Sequence, residues 1–261
     1  MSNKYKIFDS HAHYDDEQFD DDRDSVLKEL FDTSVIGIIN CSSSYDSIKT
    51  TCDLANKWEN IYIAVGIHPE NADEYTDKRL TEIEKIIQNN KKVVAVGEIG
   101  LDYHFDDNPP KDVQKHVLRQ HMKLADKYNL PVIIHDRDAH LDTLEILKEF
   151  PNVKGILHCF SGSVEFSKEI LKLGYYLGVN GVVTFKNSKK TVQVIKATPI
   201  DKILVETDCP YLSPEPNRGK RNKSDNIEYV IDKIAEIKDM DGVEISCKVN
   251  DNLSRLMNIG K

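Results

Sequence analysis

The sequence predicts an α/β fold, a single-domain (β/α)8 TIM barrel over residues 1–261, and three observations carry that expectation. Short apolar runs rich in β-branched residues recur along the chain, each followed by a stretch of helical spacing. A length of 261 residues is ordinary for such a barrel. No repeat, low-complexity tract or linker rich in Pro, Gly or Ser divides the chain. Alternating strands and helices imply parallel pairing, and eight units close naturally into a barrel, with an open doubly wound sheet as the alternative.

The strand runs are Tyr5–Asp9, Val35–Cys41, Ile61–Gly66, Val93–Glu98, Val132–His135, Gly155–His158, Tyr175–Val179 and Ile203–Glu206. The run from Val93 to Val96 is apolar without a break, as a strand buried on both faces requires. Between the runs, helices are expected near Asp22–Asp32, Tyr45–Trp58, Lys78–Asn89, Lys111–Lys127, His140–Glu149, Val164–Leu173 and Ser188–Ala197. Two more close the chain, near Asn226–Lys238 and Val243–Met257. In the first of these, Ile227, Val230, Ile231, Ile234 and Ile237 recur at threes and fours and share one face.

Composition narrows the function classes. Thirty-nine per cent hydrophobic and 30% charged residues describe a soluble globule, and no apolar run approaches the roughly 18 residues of a membrane span. The N-terminus lacks the basic-then-apolar order of a signal peptide, so a cytoplasmic location is expected. Five scattered cysteines without a CxxC pair read as reduced thiols, mostly core filler. A net charge of −9 argues against adhesion of the whole surface to nucleic acid. A local phosphate site stays open, because divalent cations invert the charge seen in a cleft.

Polar residues collect where the runs end. The first ends in Asp9-Ser10-His11-Ala12-His13, and residues i and i+2 of a strand share a face, so His11 and His13 can bind one ion. Later runs end in Glu98, His135, His158 and Asp208. In a barrel these ends meet at one rim. Four imidazoles and two carboxylates suit zinc, manganese or a related divalent cation. Six donors exceed one tetrahedral site and suit two metals sharing a carboxylate, for which Glu98 is the choice. Singly, each residue has a plainer reading: a core histidine, an ion-pair partner, a turn former. Their joint placement at the ends of different strands does not.

Seven segments resemble the TatD family of metal-dependent deoxyribonucleases, within the amidohydrolase-like barrels. They are DSHAHYD (9–15), GIHPE (66–70), GEIGLDYH (97–104), PVIIHDRDA (131–139), HCFSG (158–162), ETDCPYL (206–212) and RGKRN (218–222), in family order and nearly end to end. The resemblance implies a pair of divalent cations, Zn, Mn or Mg. His11, His13, Glu98 and Asp208 would hold one, and Glu98, His135 and His158 the other. It implies catalytic roles for Glu98 and for Asp208, which orients the nucleophilic water and can take its proton. His68 would meet substrate rather than metal. The loop after the last strand carries Arg218, Lys220, Arg221 and Lys223, and Arg137 lies two residues beyond His135; these are the expected phosphate contacts. Tyr103, His104 and Phe160 are candidates to stack on bases. The implied activity is 3′–5′ exonuclease hydrolysis of DNA, single-stranded or frayed. After RGKRN, where the family often has an acidic residue, proline and alanine, this chain has Lys223-Ser224-Asp225-Asn226, whose Asp or Asn can cap the next helix. The rival readings are a metal-dependent esterase or amidase acting on a small molecule or aminoacyl ester, and a non-catalytic nucleic-acid-binding barrel.

Overall fold

Eight parallel strands follow one another in sequential order around a single sheet. They are β1 (Ile7–Ala12), β2 (Val35–Cys41), β3 (Ile61–Val65), β4 (Val93–Asp102), β5 (Val132–Arg137), β6 (Gly155–Leu157), β7 (Tyr176–Val179) and β8 (Ile203–Val205). The computed structural model describes residues 4–259. Helices α1 (Arg23–Phe31), α2 (Ser47–Lys57), α3 (Asp77–Asn89), α4 (Lys111–Tyr128), α5 (His140–Glu149), α6 (Val164–Lys172) and α7 (Lys189–Ala197) alternate with the strands, and α8 (Ile227–Lys238) and α9 (Gly242–Met257) end the chain. The architecture is the barrel, not the open sheet.

Closure occurs just beyond β8. The Asp208 amide donates to the His11 carbonyl at 3.0 Å, and the His13 amide to the Cys209 carbonyl at 2.8 Å. The same segment therefore joins the last strand to the first and carries three of the expected metal ligands.

The lumen is filled by a cluster drawn from every strand: Phe8, Ile39, Ala64, Val94, Ile133, Ile156, Tyr176 and Leu204. Leu253 and Met257 of α9 join it and cap one end. Strand alternation then dictates the next layer. Two residues beyond Ile133, Ile156 and Leu204 stand His135, His158 and Glu206, while the intervening Ile134, Leu157 and Val205 belong to the clusters outside the lumen. The polar site is the layer above the apolar plug.

Three strands run further than the apolar pattern suggests: β1 by three residues, β4 by four, β5 by two. All ten residues of β4 are buried, and neighbouring backbone satisfies polar positions the pattern reads as loop. Gly100 permits the close β4–β5 pairing: at φ +153°, a Cβ there would fall 2.0 Å from the His135 carbonyl oxygen. Asn226 holds the N-cap position of α8 but makes no side-chain cap bond. Its side chain instead bonds Asn217 and Asn222, and Ser224 turns inward to Asp9 and Tyr14. Among the cysteines, only Cys41 and Cys209 are fully buried, Cys247 is exposed, and all five are free thiols. No described helix is long and apolar enough to cross a membrane.

One buried histidine far from the rim makes the fold sensitive to acid. His121 of α4 is fully buried, donates Nδ1–H to the Val117 carbonyl at 2.9 Å and leaves Nε2 without a partner. Burial lowers its pKa from 6.5 to about 4. Between those values the unfolded chain binds a proton that the folded chain refuses. Stability from this group is therefore intact above pH 6.5 and lost by pH 4, by roughly 3 kcal/mol. Urea unfolding at stepped pH checks this: the difference between wild type and His121→Leu should shift across that window and stay flat above it.

Candidate metal centre

β1 would present His11 away from the lumen if its alternation were regular, because Phe8 points inward. A register shift between Asp9 and Ala12 breaks the alternation and brings His11 to the rim with His13. Their Nε2 atoms lie 3.0 Å apart. His13 must carry its proton on Nδ1, which donates to the Cys41 carbonyl at 2.9 Å, so its Nε2 offers a lone pair. Glu98 Oε2 stands 3.3 Å from both Nε2 atoms, and Asp208 Oδ1 stands 3.4 and 3.5 Å from them. A tetrahedral ion with bonds near 2.0–2.1 Å spaces its ligands about 3.3–3.4 Å apart. Five of the six donor separations are near that spacing; His11, His13 and Glu98 form one close donor group, and Asp208 forms another with His11 and His158.

Glu98 turns its other oxygen to a second group. Oε1 is 2.7 Å from His158 Nε2 and 3.0 Å from His135 Nδ1, and those nitrogens are 3.2 Å apart. Asp102 accepts the Nε2–H of His135 at 2.9 Å, which leaves Nδ1 as the lone pair facing Glu98. The structure thus gathers all six expected ligands, with one Glu98 oxygen turned to each set. His68 Nε2 also approaches Oε1, at 3.5 Å. Its Nδ1 accepts the Glu70 amide, so the neutral ring carries its proton on Nε2 and faces Glu98 as a donor. That disfavours it as a ligand, although it completes a third donor group with Glu98 and His135.

Electrostatics agrees with a site built for cations. Burial opposes charge on Glu98 and Asp208, but the surrounding histidines prevail and hold both carboxyls well below their usual range. Burial also opposes charge on His135, yet Asp102 and Glu98 outweigh it and raise its pKa to about 9. At His158 burial dominates and the pKa falls to about 4. With protons as the only cations, protonated imidazoles balance the carboxylates; divalent cations can take their place.

A cavity of about 530 Å³ opens beside His135, His158 and Asp208. Arg137 lines it, stacked over Phe105 at 4.7 Å, its side chain making no ion pair or hydrogen bond among the described residues. The other expected phosphate contacts do not line it. Arg221 is committed elsewhere: it forms a two-pronged pair with Asp22 at 2.9 and 2.6 Å and stacks on Phe19. Arg218 stacks on Phe185 near Glu215, and Lys220 is exposed. The aromatic expectation also shifts. Tyr103 donates to Asp142 and lies under Lys111, away from the cavity, whereas Phe160, largely buried against Phe166, still lines it. His104 does line the cavity, paired with Asp138. The exposed rings at the mouth are Phe105 and Tyr211.

Sequence reasoning passed over Asp102, Glu206 and Asp9. Asp102 lies four residues from Glu98 in one strand, hence on the same face, and that parity was the available signal.

A family model described as TatD related DNase matches residues 8–258. The metal-dependent hydrolase YabD of Bacillus subtilis is 44% identical over 255 residues, covering 97% of this chain and 99% of that one. The crystal structure of YjjV, a TatD homologue from Escherichia coli K12, superposes with a TM-score of 0.91 at 31% identity, covering 97% of this chain and 98% of its own. A TatD family hydrolase from Entamoeba histolytica gives 0.84 at 28% identity, covering 98% and 99%.

The His135–Asp102 contact yields a direct expectation. Asp102→Ala removes the acceptor that keeps Nδ1 of His135 free, and should weaken divalent-metal affinity about 10–100-fold while the protein stays folded. Equilibrium dialysis with Zn²⁺ beside a circular-dichroism melt measures both.

Proposed function

The chain belongs to the TatD-related DNase family, and from that premise we propose that it is a metal-dependent hydrolase cleaving DNA phosphodiester bonds, stepwise from 3′ ends that are single-stranded or frayed. One observation carries the metal part of this reading: the two oxygens of Glu98 face two different pairs of histidine nitrogens. In our reading His11, His13, Glu98 and Asp208 hold one cation, and Glu98, His135 and His158 the other. Two such ions, when bound, lower the pKa of water and neutralise charge on phosphoryl oxygens.

The remaining work falls to the chain. Asp208, ionised and beside the cavity, accepts a hydrogen bond from the attacking water and takes its proton as the new O–P bond forms and the P–O3′ bond breaks, the leaving 3′ oxygen taking a proton from solvent. His68 directs Nε2–H toward the Glu98 side of the centre, where a phosphoryl oxygen can accept it. Arg137 holds a phosphate from the cavity wall, and Arg218 and Lys220 meet the departing strand from the loop after β8. Arg221 instead fixes that loop to the segment before α1. Phe160, Val179, Val182 and Leu212 give the cavity an apolar side, suited to a nucleobase. The same side would accept the apolar part of an ester, which keeps the esterase reading as second. Five free thiols suit the reducing cytoplasm.

The deciding assay offers purified protein a labelled single-stranded oligonucleotide, its duplex, and p-nitrophenyl esters, with Mg²⁺, Mn²⁺, Zn²⁺ or a chelator. Stepwise shortening of the single strand is expected, abolished by chelator and reduced about 10²–10⁴-fold in Asp208→Asn. Ester turnover with intact DNA would sink the nuclease reading.

A further inference from the structure

We propose that Glu206 is the positioning carboxylate of His158, accepting its Nδ1–H and so aiming Nε2 at Glu98 and the cation they would share. The proposal rests on the metal-centre reading and adds a residue to it.

A neutral imidazole serves as a ligand only through its unprotonated nitrogen, so something must fix the proton on the other one. For His13 that is the Cys41 carbonyl, and for His135 it is Asp102. His11 Nδ1 lies 3.3 Å from Cys41 Sγ. His158 has its Nε2 2.7 Å from Glu98, yet its buried Nδ1 has no hydrogen-bond partner among the described residues. Glu206 Oε1 stands 3.8 Å from that Nδ1. A ring movement of about 1 Å would bring the pair within hydrogen-bond distance.

Glu206 is itself unexplained by the site as described. It is fully buried, its Oε1 accepts the Cys159 amide, and its Oε2 has no partner among the described residues. An ionisable group buried with an idle oxygen is disfavoured unless a partner or a function compensates its burial. The neighbouring strand is shaped to admit it. A Cβ on Gly178 would lie 2.4 Å from Glu206 Oε2 and 2.9 Å from His158 Cα, so β7 leaves out a side chain where the carboxyl meets the histidine. Strand parity places Glu206 two residues above Leu204 of the lumen, level with His158 above Ile156.

The competing explanation is that Glu206 only holds the Cys159 amide. The two differ in what they do to metal. Zn²⁺ is titrated calorimetrically into the metal-stripped full-length protein, its Glu206→Ala and Glu206→Gln variants, and His158→Ala, with a thermal melt of each and ¹⁵N NMR of the histidine rings. We expect two binding events in wild type. Glu206→Ala should weaken one by about 10–100-fold and spare the other, and His158 should lose its single Nδ1–H tautomer. Glu206→Gln, which keeps a carbonyl acceptor, should recover most of the loss. Unchanged affinities and tautomer in Glu206→Ala would overturn the proposal, and so would an equal loss at both events with a lowered Tm. If the alanine variant does not fold, Glu206→Met, which fills the space without an acceptor, takes its place: a loss confined to one event with a changed His158 tautomer supports the proposal, and wild-type affinities with an unchanged tautomer overturn it. Retention of both events in His158→Ala would instead remove His158 from the ligand set, overturning the metal reading at that residue and the proposal with it.

Discussion

Asp9 is the seam on which the rest of the rim depends. It is fully buried at the junction of first and last strands, and each carboxylate oxygen accepts two hydrogen bonds. Oδ1 takes the amides of Thr207 and His11 at 3.0 and 3.2 Å; Oδ2 takes the hydroxyls of Thr207 and Ser224 at 2.6 and 2.7 Å. Burial pushes its pKa upward, and those four bonds oppose the shift. Nothing in this arrangement touches the proposed cations. Yet Thr207 precedes Asp208, and His11 begins the ligand pair, so the spacing between them is set by bonds to one neighbouring carboxylate. The backbone bonds that close the barrel use the same residues. Barrel closure and ligand placement therefore rest on the same few residues.

That coupling explains how so many titratable groups share so little space. Isolated, any of these buried charges would be expelled or neutralised. Together, carboxylates stabilise imidazolium and the reverse, and two of the histidines have a second contact that fixes their direction: Cys41 for His13, Asp102 for His135. The apolar layer beneath, from Ile133, Ile156 and Leu204, keeps water out from below and leaves the cavity side open. A cation would meet donors already oriented, so little ordering remains to be done at binding.

The barrel was legible because its strands are apolar on both faces and its helices are not, a contrast written in residues such as Val93 to Val96 and Ile227 to Ile237. The expected ligands were legible because each interrupts an apolar run. What the pattern hid was of three kinds. The register shift that brings His11 inward depends on pairing with β2, which no single strand encodes. Asp9, Asp102 and Glu206 sit beside residues that drew attention to themselves, and their roles emerge only when distant partners arrive, such as Ser224 at Asp9 or His135 at Asp102. Arg221 looked free because its partner, Asp22, lies far away in sequence. Periodicity reports burial; it does not report which polar groups will meet.

The commitments of the rim cations bear on how a polyanion would be held. Arg221 is paired to Asp22, Arg218 leans on Phe185 beside Glu215, and Lys223 lies against Asp225. Arg137 alone among these arginines lines the cavity, and it does so without an acidic partner among the described residues. On a chain of net charge −9, a surface so constituted repels the length of a nucleic-acid strand. Attraction must then be local, concentrated where divalent ions would outweigh Glu98 and Asp208 and where Arg137 adds one more charge. A site of that kind engages one phosphate and its immediate neighbours. Under the proposed function, a strand end would meet such a site with less repulsion than a continuous duplex.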